Sequence, residues 1–291
     1  MEAPLTRVEF THPSKILYPK AGITKLQVIK YYIRIAPLIL PFLAERPIVL
    51  TRYPDGVGGK GFYEKDAPMG TPAWVETWPH YSETVGRMIH YIVCNSLDTL
   101  LWIANLDTLE IHLMLSTVRS PENPDLLFID LDPEVPATTA DAARIALLIR
   151  DRLASQGIRV SIKTSGKRGF HLVVPLVPGL TYGDVRDFVH GMGRMLARED
   201  ALIASEAPGP ANPGKVFIDY AQNSPGRTMV APYSPRATPF ATVSTPLAWE
   251  EVGKGINPGD LHIQSVPERG GDPWEGILRE PQRLPAGGRK G

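Results

Sequence analysis

Two aspartates separated by one residue close the run Asp125-Leu126-Leu127-Phe128-Ile129-Asp130-Leu131-Asp132-Pro133. Side chains in a strand alternate between faces, so Asp130 and Asp132 point one way and Leu131 the other. Pro133 cannot donate to a strand ladder, and the element ends there. Like charges held side by side repel. A hard divalent cation, Mg²⁺ or Mn²⁺, bound by carboxylate oxygens beside substrate phosphates would relieve that repulsion. Taken alone, the pair equally fits two solvated, turn-forming aspartates, and context has to separate the readings.

Two further blocks supply context. Residues 160–175 read as strand, basic turn, strand, with Ser165-Gly166-Lys167-Arg168-Gly169-Phe170-His171 at the turn. Glycines let a backbone approach a ligand closely, and successive amides can form an anion nest. Ser165 adds a hydroxyl donor, Arg168 a planar cationic fork and His171 an imidazole, a set that suits a triphosphate. The turn leads into a strand and lacks a G-K-[ST] ending, so it is not a Walker loop. Lys167 is as readily a solvated side chain. Val216-Phe217-Ile218-Asp219-Tyr220 is a second apolar run ending in a carboxylate. Three carboxylates can hold two cations, and two cations can promote in-line attack of a 3′-hydroxyl on an α-phosphorus.

Together these blocks resemble the archaeo-eukaryotic primase superfamily, and most closely the polymerase domain of bacterial ligase D, an end-joining repair polymerase. The resemblance runs from Thr11 to about Trp274. It includes Lys15 to Lys25, Phe62-Tyr63-Glu64-Lys65, Glu110-Ile111-His112, and Gln222-Asn223-Ser224 through Ala231-Pro232-Tyr233. It implies that Asp130 and Asp132 bind both cations and that Asp219 mainly holds the one near the primer hydroxyl. Ser165, Gly166, Arg168, Gly169 and His171 would hold the nucleotide phosphates, with Gln222 and Arg227 also reaching the nucleotide. His112 would contact the incoming sugar or phosphate; the plainer reading is a hydrogen-bonded core histidine.

The same resemblance gives the first sixty residues another role. His12, Lys15 and Lys25 match a pocket for the 5′-phosphate on the downstream side of a gap. His12 stands where many relatives carry Asn, which would make affinity pH-sensitive below about 6.5. Lys25 is expected beside free amides at a helix N-terminus, which also favour an anion. Phe62 and Tyr63 either stack on a template base or are ordinary core. Arg52 is matched to the template and Lys215 to a primer-side loop.

Composition sets wider limits. The 291 residues suffice for one large or two small domains, and 43% hydrophobic with 21% charged residues suits a globular protein. The net charge is zero, but residues 1–60 carry nine Lys/Arg against four acids, a +5 patch able to meet phosphates. The lone Cys94 excludes an internal disulfide and a cysteine zinc site, and is expected to be a buried thiol in a reducing compartment. No apolar run reaches about 18 residues without a polar break, which argues against a membrane span. The N-terminus lacks a signal-peptide pattern, so the expected location is cytoplasmic, with the nucleoid.

The elements that must position these residues follow from periodicity. Thr24 predicts an N-cap for a helix over about 24–43 with a kink at Pro37. Ser96 caps a helix through Ala104. Strands are expected at 48–53, 62–65, 75–78, 87–93 and 109–115, the last placing Glu110 and His112 on one face. After the Asp130 strand come helices over 138–155 and 182–198, a pair of strands at 160–164 and 170–176, and strands at 216–220 and 228–232. A short helix is expected at 246–252 and a disordered tail from Gly287 to Gly291. Strands mixed with helices without strict alternation argue for α+β. The family implies a primase-polymerase fold, an RRM-like catalytic sheet packed with an N-terminal α/β module. The chain would be a single domain of two modules, 1–118 for DNA ends and 119–291 for catalysis, sharing one core and one cleft.

The function expected is a DNA repair polymerase of non-homologous end joining. It would use two divalent cations, Mn²⁺ or Mg²⁺, and nucleoside triphosphates, with ribonucleotides preferred. Its DNA would carry gaps or 3′ overhangs and a 5′-phosphate, and its partners would be Ku and a DNA ligase, with no membrane. No ligase nucleotidyl-lysine motif or nuclease module is visible, so the chain is either free-standing or one domain of a larger ligase. Two alternatives stand: a primase of the same superfamily, and a non-catalytic module that bridges DNA ends.

Overall fold

The computed structural model of the protein describes residues 6–83, 85–206 and 212–285. The expected tail at Gly287 to Gly291 lies outside the described residues. The chain divides into two compact units: Met1–Met114, Val230–Ser244 and Gly259–Gly270 form unit 1, and Leu115–Met229, Thr245–Pro258 and Gly271–Gly291 form unit 2. The sequence placed the change near residue 118 and assigned everything beyond it to the second module. Instead, two C-terminal segments return to unit 1, because Ser234 and Arg236 bond to Ile111 and Glu110 there.

Unit 1 contains β1 (Ile16–Tyr18), β2 (Ile23–Thr24), α1 (Lys25–Leu43), β3 (Pro47–Arg52), β4 (Phe62–Glu64), β5 (Thr77–Ser82), β6 (Arg87–Val93), α2 (Leu97–Asn105) and β7 (Thr108–Met114). Thr24 caps α1 as expected, and Gln27 completes a reciprocal capping box. The helix continues through both Pro37 and Pro41. By length and composition alone α1 could cross a membrane. Here it buries Val28, Ile29, Tyr32, Ile35, Ile39 and Leu43 within unit 1, while Lys30 and Arg34 are exposed, as in a core helix. Burying each such apolar side chain contributes roughly 1.5–3 kcal/mol. The sheet runs β7-β3-β6-β5, and β4 also pairs with β3. The strand expected at 75–78 begins only at Thr77, because Pro72 and Val75 close a turn before it. Cys94 is buried, and burial pushes its thiol up to about 12.

Unit 2 contains β8 (Leu126–Pro133), α3 (Thr139–Ala154), β9 (Ser161–Thr164), β10 (Phe170–Pro175), α4 (Tyr182–Glu199), β11 (Ile203–Ala204) and β12 (Val216–Asp219). The chain then crosses back along β13 (Thr228–Val230) and later returns as β14 (Pro246–Leu247) and α5 (Trp249–Gly253). The order β8-α3-β9-β10-α4-β12 is a β-α-β-β-α-β unit whose strands lie β12-β8-β10-β9, the RRM-like arrangement expected. These four strands pair antiparallel, and among the described strands of this sheet β11 joins in parallel, beside β12. Reciprocal bonds between Thr164 and Thr245 set β14 against β9, so the short helix begins at Trp249, later than the 246 expected. Trp274, fully buried, donates its indole N–H to Ile162 C=O.

Helix α4 defines the two faces of this sheet. A Cβ added at Gly193 would lie 3.6 Å from Ile218, which pairs with Leu131. α4 therefore covers the face of Leu131 and Ile218. Asp130, Asp132 and Asp219 alternate onto the opposite face.

Candidate active site

Strand register gathers the carboxylates of unit 2. Asp219 on β12 is the direct cross-strand partner of Asp130 on β8. Directly opposed residues of an antiparallel pair project to the same side. Asp132, two residues on, shares that side at the strand end, where its surface meets solvent while the protein packed around it strips part of the carboxyl's hydration. Burial first, then the neighbouring charges of Asp130, Asp219 and Glu134, push the Asp132 carboxyl up to about 7 against the pull of Lys167. Burial and Asp130 also raise Asp219, while Gln222, the Ala221 amide and Arg227 oppose the rise.

Each of the other two carboxylates has a local partner. Asp219 accepts from Ala221 N–H at 2.9 Å and from Gln222 Nε2 at 2.8 Å. Asp130 Oδ1 lies 3.2 Å from His171 Nε2. Among the described residues, no three acidic, His or Cys side chains are already drawn together as a metal cluster. The donor set nevertheless fits a hard divalent cation. It is all carboxylate oxygen, it shares one face, and desolvation together with the neighbouring carboxylates raises Asp132, a penalty that a bound cation would offset. Asp130, Asp132 and Asp219 are the residues that would hold it.

The basic turn sits at the same end of the sheet. Ser165 Oγ accepts the N–H of both Lys167 and Gly169 at 3.2 Å, so these two amides close the turn. That is a correction to the open anion nest expected there, since a short turn uses its own donors first. Gly166 has φ +74°. A Cβ at Gly169 would lie 2.1 Å from Leu131 C=O and 3.3 Å from Asp132 Oδ1, so only glycine lets the turn approach β8 this closely. Arg168 donates to Ala137 C=O at 2.5 Å. His171 is buried and stands edge-on to Phe128, with ring centroids 4.9 Å apart. Gln222 is partly covered beside Asp219, Arg227 is exposed, and Lys215 leads into β12.

Two residues that build this site carried no earlier assignment. Asn223 is fully buried and accepts Phe128 N–H while donating to Phe128 C=O, extending the β8 edge where β12 has ended. Lys163, also fully buried, lies 2.6 Å from His171 Nδ1. A charged residue inside an otherwise strand-like run was the signal for Lys163; nothing local marked Asn223.

Two polar clusters of unit 1 contain residues singled out from the sequence. Glu110 is buried, accepts Arg236 Nε and Ala237 N–H at 3.0 Å, and lies 3.1 Å from His112 Nε2. Burial alone would raise its pKa; His112, Arg236 and the Ala237 amide hold it well below the usual carboxylate range. His112 thus has a polar partner while remaining partly exposed, and Tyr63 stands edge-on to it with centroids 5.6 Å apart. Phe62 and Tyr63 are 41% and 48% exposed, which excludes the core reading. Arg52 lies over the Phe62 ring and pairs with Glu64 at 2.9 Å.

The second cluster joins Lys15 and Lys25 through Asp107, with Nζ to carboxylate distances of 2.6 and 3.2 Å. Lys15 is partly exposed and His12 exposed, but Lys25 is only 2% exposed. The free helix amides expected beside Lys25 are not free. Lys25 N–H donates to Lys15 C=O, Leu26 N–H to Pro13 C=O and Gln27 N–H to Thr24 Oγ1, because residues 13–15 fold back over the helix start.

Comparison with known proteins identifies the family. The family model described as LigD, primase-polymerase domain, matches residues 24–274. A multifunctional non-homologous end joining protein LigD of Pseudomonas aeruginosa is 33% identical over 294 residues, covering 97% of this chain and 34% of that protein. A bifunctional LigD of Bacillus subtilis is 32% identical, covering 96% and 45%. The chain thus spans a third to under half of the length of these relatives. The polymerase domain of Mycobacterium tuberculosis ligase D, solved in complex with DNA, superposes with a TM-score of 0.86 at 28% identity, covering 96% of this chain and 100% of that one. With its RRM-like sheet, its carboxylate row and this match over most of its length, the chain belongs to the LigD primase-polymerase domain family.

Proposed function

We propose that this chain adds nucleotides to a primer 3′-hydroxyl at gaps and broken ends during non-homologous end joining. Its family makes it a nucleotidyltransferase domain whose chemistry depends on metal. The observation that carries the reading is the register of Asp219 opposite Asp130, with Asp132 on the same face. Two divalent cations, Mn²⁺ or Mg²⁺, would supply activation of the hydroxyl and charge neutralisation at the leaving pyrophosphate.

The chain's own residues would do the rest. Asp130, Asp132 and Asp219 hold the cations. Lys167 and Arg168, with His171 behind them, meet the triphosphate, while Gln222 orients Asp219 and Arg227 offers a further positive charge. In unit 1, the exposed Phe62 and Tyr63 stack on a template base, Arg52 steadies Phe62, and His112, set by Glu110, meets the nucleotide. His12, Lys15 and Lys25 favour a 5′-phosphate, since a terminal phosphate carries more charge than a bridging one. Lys215 lies on the primer side. Ribonucleotides are preferred, and the cellular setting is the nucleoid, with Ku and a ligase as partners.

A gapped duplex with a labelled primer, with and without the downstream 5′-phosphate, tests this in Mn²⁺. Extension stimulated by the 5′-phosphate, with the ribonucleotide winning at equal concentration, is the expected result. Strand initiation without a primer would favour a primase, and DNA binding without extension a bridging module.

A further inference from the structure

Lys163 on β9 is fully buried, an unusual place for an amine. Its cross-strand partner on β10 is His171; the partner of His171 on β8 is Asp130; the partner of Asp130 on β12 is Asp219. Four directly opposed residues on four antiparallel strands project to one face as a single row. The contacts follow the row. Lys163 Nζ lies 2.6 Å from His171 Nδ1, and His171 Nε2 lies 3.2 Å from Asp130 Oδ1. The Phe128 ring closes one side of the imidazole.

An ammonium has three donors and no acceptor. Donation from Lys163 to Nδ1 requires that nitrogen to be unprotonated, which places the ring proton on Nε2, facing Asp130. We propose that Lys163 is a positioning residue: it fixes His171 as the Nε2–H tautomer, so that the ring turns its N–H edge toward Asp130 Oδ1, 3.2 Å away, and steadies that carboxylate for a cation. The proposal rests on the reading of Asp130 as a cation-holding residue. Partners of this kind, one step removed from a metal, typically change metal affinity about 10- to 100-fold when lost. Lys163 therefore acts through His171, without touching nucleotide or DNA.

The test uses the full chain without nucleotide. Nitrogen-15 NMR of histidine-labelled, metal-free protein, assigned with His171→Asn, reports the tautomer, and Mn²⁺ titration followed by electron paramagnetic resonance reports affinity. The wild type is expected to carry the His171 proton on Nε2. Lys163→Met, which keeps side-chain length, is expected to mix the tautomers and weaken Mn²⁺ binding about ten-fold. Lys163→Met with His171→Asn should bind Mn²⁺ no more weakly than His171→Asn alone. A wild type that binds no Mn²⁺ overturns the cation reading and this proposal with it. A wild type that binds Mn²⁺ but carries the proton on Nδ1 overturns the proposal alone, whether or not Lys163→Met folds. Additive losses in the double variant do the same.

Discussion

Asp130 and Asp219 are direct cross-strand partners on β8 and β12, two acidic side chains facing one another on the same side of one sheet. Opposed like charges destabilise a strand pair. The fold keeps this pair beside a third carboxylate, which is the arrangement a divalent cation stabilises. Asp130→Asn or Asp219→Asn is therefore expected to abolish nucleotide addition, a loss above about 10³-fold, while leaving DNA binding nearly intact. Single-turnover primer extension in Mn²⁺, with a parallel binding titration, checks it. Near-normal extension by either variant would count against the site.

Asp132 should couple metal to pH. Its pKa in the folded, metal-free protein is pushed up to about 7, above the ordinary carboxylate value. The bound proton thus stabilises the fold below the ordinary value near 4, and that contribution is lost as pH rises through about 7. Metal-free protein is expected to melt at lower temperature as pH climbs from about 5 to about 8, with Asp132→Asn flattening the trend. Calorimetry in buffers of different ionisation enthalpy should detect proton release on Mn²⁺ binding near pH 6 and far less near pH 8.

Glu110 shifts the other way. Held low by His112, Arg236 and the Ala237 amide, it contributes stability above the ordinary carboxylate range, and this is lost only as pH falls through its depressed value. Glu110→Gln leaves Arg236 buried without its counter-charge, which costs about 3–5 kcal/mol near pH 7. Urea unfolding at several pH values is expected to show that gap narrowing toward acid.

Gly169→Ala probes the approach of the basic turn to β8. The new methyl would meet Leu131 C=O at 2.1 Å, and backbone must move. Overpacking of this kind costs about 1–3 kcal/mol, and extension should fall further than thermal stability because Asp132 lies in the same contact. A variant with unchanged melting and unchanged extension would show that the turn is not held where the structure places it.

The Lys15–Asp107–Lys25 cluster should discriminate between DNA ends. Wild type is expected to bind a 5′-phosphorylated gap several-fold better than its hydroxyl counterpart, and Lys15→Ala with Lys25→Ala to remove the difference while sparing simple primer extension. Affinity should fall with salt, as phosphate contacts release counterions. Because Lys25 is buried against Asp107, Lys15→Ala alone provides the control for misfolding. Equal binding of both ends by wild type would favour the primase alternative.

The sequence by itself determined what is local. Alternation put Asp130 and Asp132 on one face, proline ended their strand, Thr24 and Ser96 marked helix starts, and a basic turn stood between two acidic strand ends. The motifs sufficed to mark the family. Only the tertiary structure decided register, and with it the row from Lys163 through His171 and Asp130 to Asp219. It decided that Ser165 would spend its hydroxyl oxygen on its own turn, that Lys25 would be buried beneath Asp107, and that Arg236 would return to Glu110 from 126 residues away. Alternation fixes a face because it repeats along a single strand. Which residue lies opposite, and which amide or charge is already satisfied, depends on strands and loops distant in sequence, and no local pattern encodes that pairing.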